Sequence, residues 1–197
     1  MKFRTPIMLA AALTVGACGI NSVPTADENV NAKWANVQVD YQRRANLIPN
    51  LVTTVKASVQ GEDKILTDVV NARAKATAIQ VSADDLNDPA KMQAFQNAQG
   101  QLNGSLSRLL ATVEAYPEVK SQANFQTLMS QIEGSENRIA IDIRDYNAAV
   151  QEYNTRIRTF PDAIGAKVFY GAKPKVPYQA TTPGAENAPT VDFGNMS

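Results

Sequence analysis

The chain has 197 residues, and its 19 lysines and arginines balance its 19 aspartates and glutamates, so the formal net charge is zero. This balance does not favour binding to nucleic acid or to an anionic membrane surface through bulk charge. The absence of histidine and the presence of a single cysteine, Cys18, exclude the commonest metal ligand, an intrachain disulfide and a cysteine-based zinc site. We expect no metal, no cofactor and no nucleic-acid partner.

Residues 1–17 have the features of a bacterial lipoprotein signal peptide. Lys2 and Arg4 precede a short apolar run at 7–15, which is too short to span a bilayer comfortably. Small residues then stand directly before Cys18, and this arrangement resembles a lipobox. The resemblance implies cleavage before Cys18 and lipidation of that cysteine with fatty acids such as palmitate, which would hold the protein on a membrane. The alternative is an uncleaved signal anchor with a buried free cysteine.

The residues after the cysteine predict a location and a tether. Gly19 stands where an aspartate would, by resemblance to enterobacterial sorting, retain a lipoprotein in the inner membrane. We therefore expect the periplasmic face of the cell envelope, with the outer membrane favoured over the inner one. Residues 18–28 are rich in small and polar side chains and are predicted to form a lipidated tether.

Apolar residues at a spacing of seven predict a first helix that begins near Asp27. Pro49 interrupts this pattern and predicts a kink or a restart of the helix, with Asn46 as the new N-cap. A second helix is predicted over 62–79. Gly61 either separates it from the first helix or leaves one kinked rod. The first helix's main seam comprises Trp34, Tyr41, Ile48 and Val55.

A third helix is predicted from Pro89 to about Ala115, with Asp88 as its N-cap and the proline in the first turn. Gly100 and Gly104 lie inside this helix. Because each glycine costs about 1 kcal/mol relative to alanine in a helix, the pair predicts a soft spot or a close helix crossing.

The longest helix is predicted from about Phe125 to Phe160 and would run roughly 54 Å. The rest of the chain is expected to pack against it. Beyond Ala172 the sequence is rich in proline, threonine, glycine and asparagine and predicts disorder. The helix's heptad seam comprises Phe125, Ile132, Ile139, Tyr146, Tyr153 and Phe160.

These elements predict an all-α fold, an antiparallel up-and-down bundle of four helices with a long C-terminal helix and an N-terminal lipid anchor. The bundle is expected over residues 29–171, and a disordered tail over 172–197.

Short segments with a distinctive sequence are spread over roughly residues 31–171, and they include Tyr41 to Arg44, Leu47 to Val52, Leu106 to Leu110, Glu114 to Pro117, Glu136 to Ala140, Tyr146-Asn147 and Tyr153-Asn154. Taken together, these segments resemble the LemA family. The resemblance implies an antiparallel helical bundle on a membrane anchor, without an established enzymatic activity. Many members of the family are anchored by an N-terminal transmembrane helix, and this chain departs from them by carrying a lipobox.

Charged residues on apolar seams are the clearest polar candidates. Arg44 and Glu136 each interrupt an apolar seam, and a buried charge needs a partner, so they are predicted to pair across the bundle and to hold its register. The alternative is a binding or catalytic carboxylate at Glu136. Arg73 and Arg108 lie at the edges of apolar faces and are predicted to pair with Glu114 or Glu136.

Asn147 and Asn154 repeat at one heptad, each directly after a tyrosine of the long helix. They form one polar stripe beside the apolar seam. The stripe is interpreted either as a hydrogen-bonded flank of the helix or as a docking stripe for a partner protein or a short peptide.

The function expected from the sequence is that of a non-enzymatic envelope scaffold or adaptor. Its partners would be the membrane, through lipidated Cys18, and a protein. One alternative is a carrier with an apolar pocket between the helices for a lipid or another small ligand. A more remote alternative is a hydrolase that uses Glu136 with a neighbouring tyrosine.

Overall fold

The computed structural model describes residues 21–57, 59 and 62–179. Within these residues the chain forms six α-helices and no strand, so the predicted all-α class is confirmed. A 3₁₀ helix, Ala83–Asn87, leads from the second α-helix into the third. The α-helices are α1 Ser22–Lys56, α2 Asp63–Ala78, α3 Pro89–Val113, α4 Pro117–Lys120, α5 Ala123–Arg156 and α6 Asp162–Val168. Four helices were predicted, and the short helices α4 and α6 account for the difference in number.

α1 and α5 form the most extensive pair of helices. They run antiparallel, because Lys33 near the start of α1 contacts Asp145, whereas Arg44 further along α1 contacts Glu136, which precedes Asp145 on α5. α2 packs mainly on α3 and also on α1. The result is a bundle in which α1 packs against both α5 and α2.

The buried apolar side chains form two clusters along the bundle. The first cluster contains the start of α1 and the second half of α5, and its centre is aromatic, with ring centroids of Trp34 and Tyr146 5.1 Å apart and those of Trp34 and Phe95 5.4 Å apart. The second cluster is mainly aliphatic and contains side chains from all four long helices. Arg44 lies on α1 between the last residue that α1 adds to the first cluster, Tyr41, and the first that it adds to the second cluster, Ile48.

α1 begins at Ser22, several residues before the predicted start near Asp27. Residues 22–28 of the predicted tether at 18–28 are therefore helical. The reason is that the apolar seam extends further back than expected. Val23 and Ala26 are buried in the first cluster together with Ala166 of α6. Cys18 and the rest of residues 1–20 lie outside the described residues.

α1 continues as one helix through Pro49, so the predicted restart at Asn46 is wrong. Asn46 does not cap the helix; its side chain accepts a hydrogen bond from Gln42 instead. Proline has no N–H to donate to the carbonyl four residues earlier, that of Ala45. Nε of Arg73 donates to this carbonyl at 2.7 Å, which satisfies the freed acceptor and joins α2 to α1. α1 ends at Lys56 and α2 begins at Asp63, which separates the two helices.

α5 ends at Arg156, and Phe160, predicted on its apolar seam, is 77% exposed. The chain leaves the helix in a turn in which the amides of Arg158 and Thr159 both donate to the Thr155 carbonyl, and the Thr159 amide also donates to the Arg156 carbonyl. This turn takes Phe160 away from the core. The five earlier members of the seam, from Phe125 to Tyr153, are buried as predicted.

The predicted disorder beyond Ala172 does not hold for residues 172–179, which we call the C-terminal segment. This segment is not helical, and it packs against the first cluster through Ala172, Val176 and Tyr178. Its backbone groups bond to side chains of the bundle, which replaces the regular secondary structure that its composition disfavours. Residues 180–197 lie outside the described part of the chain. None of the helices in the described part has a stretch long and apolar enough to cross a membrane.

Candidate functional site

The predicted pair of Arg44 and Glu136 is in contact in the structure. The Arg44 side chain is fully buried, and its Nη1 donates to Glu136 Oε1 at 2.6 Å across the α1–α5 interface. Nη2 of the same guanidinium donates to Gln99 Oε1 of α3 at 2.7 Å, and Nη1 also donates to Asn103 Oδ1. The planar guanidinium thus engages three acceptors on two other helices.

The network around Arg44 reaches all four long helices. Gln99 uses its Nε2 to donate to the Ala76 carbonyl of α2 at 3.3 Å. The guanidinium carbon of Arg44 also lies 5.0 Å from the ring centroid of Tyr41, a cation–π contact on the side of the first cluster. Because a displaced register would leave a buried charge without its acceptors, the network favours one alignment of the helices. Glu136 serves as an acceptor in this network, and its side chain is 41% exposed.

Arg73 and Arg108 do not pair with the predicted glutamates. Neither forms an ion pair with Glu114 or Glu136 in the described structure. Arg73 instead donates to the Ala45 carbonyl that Pro49 leaves free. Arg108 is exposed and donates from Nη2 to the Ser105 hydroxyl at 3.1 Å.

Asn147 and Asn154 form a clamp for an extended peptide. Asn147 donates from Nδ2 to the Tyr178 carbonyl at 2.9 Å and accepts at Oδ1 from the Tyr178 amide at 2.7 Å. Asn154 makes the same two bonds to the backbone of Lys175, each 2.8 Å long. Each side-chain amide therefore satisfies both backbone groups of one residue. The predicted stripe holds the chain's own C-terminal segment.

Further bonds hold the C-terminal segment against the first cluster. The Tyr146 hydroxyl donates to the Val176 carbonyl at 2.7 Å, and the Val176 amide donates to the Leu86 carbonyl at 2.8 Å. The hydroxyls of Tyr41 and Tyr178 lie 2.6 Å apart. Burial raises the pKa of the Tyr41 hydroxyl well above its usual value, so this pair is a neutral hydrogen bond at any physiological pH.

Lys175 joins the C-terminal segment to the start of α1. Its Nζ lies 2.9 Å from Asp27 Oδ1 and donates to Asn31 Oδ1 at 3.3 Å. The same ammonium lies 5.6 Å from the ring centroid of Tyr153. With only 9% of its side chain exposed, Lys175 is screened from solvent, so these contacts are stronger than those of a surface lysine.

Gln99 and Asn103 belong to the Arg44 network and were not predicted. Gln99 did carry a signal, because it interrupts an apolar row between Met92 and Leu106 in the same way that Glu136 interrupts the row on α5. Asn103 lies on an exposed position of α3 and gives no such signal.

The described residues contain no group of three or more histidines, cysteines, aspartates or glutamates placed to hold a metal ion. One carboxyl pair does lie between α1 and α5. Burial, reinforced by a hydrogen bond with Asp40, raises the pKa of the Asp142 carboxyl. Asp40 is itself buried and accepts a hydrogen bond from Arg43 of the same helix. The two carboxyl groups thus have partners within the bundle.

Comparison with known proteins identifies the family. The chain is 31% identical over 157 residues to magnetosome proteins MamQ 1 and MamQ 2 of Paramagnetospirillum magneticum, a match that covers 72% of this chain and 58% of each relative. It is 29% identical over 171 residues to magnetosome protein MamQ of Magnetospirillum gryphiswaldense, covering 79% of this chain and 63% of that protein. The chain thus spans less than two thirds of these relatives' length. The LemA family model matches residues 33–193, and the chain belongs to the LemA family.

Proposed function

We propose that this protein is a non-enzymatic scaffold or adaptor of the cell envelope, anchored through lipidated Cys18, that presents a rigid helical surface to a protein partner. Membership of the LemA family supports a non-enzymatic helical protein at a membrane. The residues around Cys18 favour the periplasmic face of the outer membrane as its location. A Cys18→Ala variant should lose lipidation and membrane partitioning, and unchanged partitioning would contradict the anchor.

The observation that carries this proposal is an open groove of about 940 Å³ between α2 and α3. It is open to solvent, and most of the residues that line it are polar or charged, which suits a helix or loop of a partner protein better than a wholly apolar ligand. Its lining includes Asp68, Asn71, Lys75, Asn97, Gln101, Asn103, Ser107 and Arg108.

Gly104 lies in the wall of this groove, and packing within the chain does not explain it. A Cβ added at Gly104 would meet only the Nη1 of Arg108, at 3.8 Å, which is an ordinary contact. The predicted close helix crossing at this glycine is therefore not formed within the chain. Glycine lowers the stability of α3 relative to alanine, and no neighbouring helix approaches this position closely enough to require it. The missing side chain instead leaves room in the groove for a partner molecule.

The two alternatives have less support. A lipid carrier needs an enclosed apolar cavity, whereas the α2–α3 groove is open and lined mostly by polar residues, and the apolar side chains pack on one another in the two clusters. A hydrolase needs a carboxylate directed into a cleft. Glu136 accepts from the Arg44 guanidinium and does not line the groove.

The test compares the same substitution at two helical glycines. Gly104→Gln fills the groove, whereas Gly134→Gln places the same side chain on α5, where an added Cβ meets nothing within 4 Å. Both changes replace glycine in a helix, so both should leave the bundle folded or slightly more stable. We expect affinity capture from solubilised envelopes to recover a specific partner with the wild type and with Gly134→Gln, and to lose it with Gly104→Gln.

Equal recovery by the two variants would show that the partner does not use the groove. Recovery of a bound lipid in place of any protein would favour the carrier.

A further inference from the structure

Large apolar side chains are exposed together at one end of the bundle. α6 buries its small residues Gly165 and Ala166 and exposes Ile164 and Val168, which lie one turn apart on its other side. An ordinary surface helix of a soluble domain has the reverse arrangement. We call the exposed set the apolar patch: Phe160 (77% exposed), Ile164 (57%), Val168 (68%) and Phe169 (66%).

The apolar patch lies at the end of the bundle where α1 begins. α6 packs against α1, and Ala166 shares the first cluster with Val23 and Ala26 from the first turns of α1. Directly after α6, Gly171 lines one groove together with Val23 and Pro24. The patch and the N-terminal entry of the chain into the bundle are therefore neighbours.

This position limits how far the patch can lie from a lipid anchor. Ser22 follows Cys18 by four residues, and an extended chain spans at most about 3.6 Å per residue, so the two lie within about 14 Å of each other. If acyl chains on Cys18 are in the bilayer, this end of the bundle is held at the membrane surface. The step rests on the lipid anchor of the proposed function.

Cations lie beside the apolar patch in the chain, whereas the acidic residues at this end of the bundle, Asp27, Glu28 and Asp84, line the adjoining groove. Arg158, Lys167 and Lys173 are all exposed close to it in the chain. The carboxylate of Asp162 is mostly buried and lies 3.8 Å from Arg156, so it adds little negative charge at the surface. Aromatic and aliphatic side chains flanked by lysine and arginine are typical of elements that lie in the interfacial layer of an anionic membrane.

We propose that the apolar patch inserts into the interfacial layer of the membrane that holds Cys18, with Phe160 and Phe169 among the lipid headgroups. The bundle is then fixed at two points on the membrane, the lipid and the patch, and its long axis is held in one orientation. A partner that docks on α2 and α3 meets these helices at a defined height above the bilayer.

The test uses the full lipidated chain with one new cysteine, because lipidation consumes the thiol of Cys18. An environment-sensitive fluorophore is attached at Ile164→Cys and, as the matched control, at Val70→Cys, which replaces another exposed apolar residue, 46% exposed on α2. Each protein is reconstituted in vesicles of phosphatidylethanolamine and phosphatidylglycerol that contain a nitroxide-labelled lipid. We expect several-fold stronger quenching at position 164 than at position 70, and a loss of that difference with Phe169→Ser.

Equal, weak quenching at both positions in vesicles that still carry the protein would overturn the inserted patch and leave the anchor intact. Shielding of position 164 in native envelopes but not in vesicles would also overturn it, in favour of a protein that covers the patch. A protein that is not lipidated at Cys18 and does not float with the vesicles would overturn both the inserted patch and the proposed anchor.

Discussion

The two apolar clusters of the bundle are closed by different means. The second cluster takes side chains from all four long helices and is mainly aliphatic. In the first cluster α2 contributes no buried residue, and the space is filled by aromatic rings, by Val81 and Leu86 between α2 and α3, and by the C-terminal segment. Regular helices thus enclose one half of the molecule, whereas side-chain hydrogen bonds to irregular backbone complete the other.

This difference has a consequence for local stability. A helix satisfies most of its own backbone groups, but five backbone groups of the C-terminal segment bond to the side chains of Asn147, Asn154 and Tyr146. Few such contacts need to break for the segment to leave. We therefore expect the second cluster to open only on global unfolding and the first cluster to open locally at its C-terminal edge.

The largest effect is expected where the two clusters meet. Glu136→Ala should lower the free energy of unfolding by about 3 kcal/mol, because it leaves the buried Arg44 guanidinium without a carboxylate. In an Arg44→Met background, in which the charge is replaced by an apolar chain of similar length, the same change should cost less than about 1 kcal/mol. Urea titrations of the four proteins give the coupling between the residues.

The exposed pair of Glu152 and Arg156 supplies the control on the same helix. Glu152→Ala should cost less than about 0.5 kcal/mol. The fluorescence of Trp34, the only tryptophan, follows the unfolding of the first cluster, while far-UV circular dichroism follows the loss of all helices. If Arg44→Met and Glu136→Ala lower the free energy of unfolding by additive amounts, the pair does not hold the register.

A smaller effect is expected at the link between α1 and α2, beside the second cluster. Arg73→Ala should cost about 2 kcal/mol, because it leaves the buried carbonyl of Ala45 without a donor. With Pro49→Ala, residue 49 regains an amide that can donate to this carbonyl, so the loss from Arg73→Ala should fall below about 1 kcal/mol. Denaturant titration of the cycle checks this rescue.

Arg108→Ala is the matched control, since Arg108 is exposed and its side chain bonds only to the Ser105 hydroxyl among its described hydrogen bonds. It should change the stability by less than about 0.5 kcal/mol. If Arg73→Ala costs the same with proline or alanine at position 49, the bond to Ala45 does not substitute for the missing amide.

Heptad spacing predicted the parts of the molecule that obey it. It found the all-α class, the buried seam from Phe125 to Tyr153 and the paired positions of Arg44 and Glu136, because each follows from a repeat of seven residues. It failed where the helix stops, as at Phe160, since the turn after Arg156 depends on hydrogen bonds and not on periodicity.

The C-terminal segment escaped prediction for a different reason. Its proline-rich composition is typical of disorder, and its order depends on partners far away in the chain, such as Asn147 for Tyr178 and Asp27 for Lys175. The asparagine stripe was visible in the sequence, but nothing in it identified the peptide that it binds. The link from Arg73 to Ala45 was hidden in the same way, because a proline shows which amide is missing and not which donor replaces it.

The smallest effect is expected at the asparagine clamp of the first cluster. Asn147→Ala and Asn154→Ala each remove two hydrogen bonds from a partly buried site, and each should cost about 1 kcal/mol. Hydrogen exchange is the decisive measurement, because the amides of Tyr178 and Lys175 donate to these two side chains. We expect faster exchange at these two amides, with the second cluster unchanged.

Asn137→Ala, at an exposed position of the same helix, controls for the change of asparagine to alanine in α5. Unchanged protection at Tyr178 and Lys175 would show that the segment is held by its apolar contacts with the first cluster and not by the clamp. An equal loss of protection in both clusters would show that the segment unfolds only together with the whole bundle. Faster exchange confined to the segment would instead establish that one half of the molecule carries a peptide that it can release while the other half stays folded.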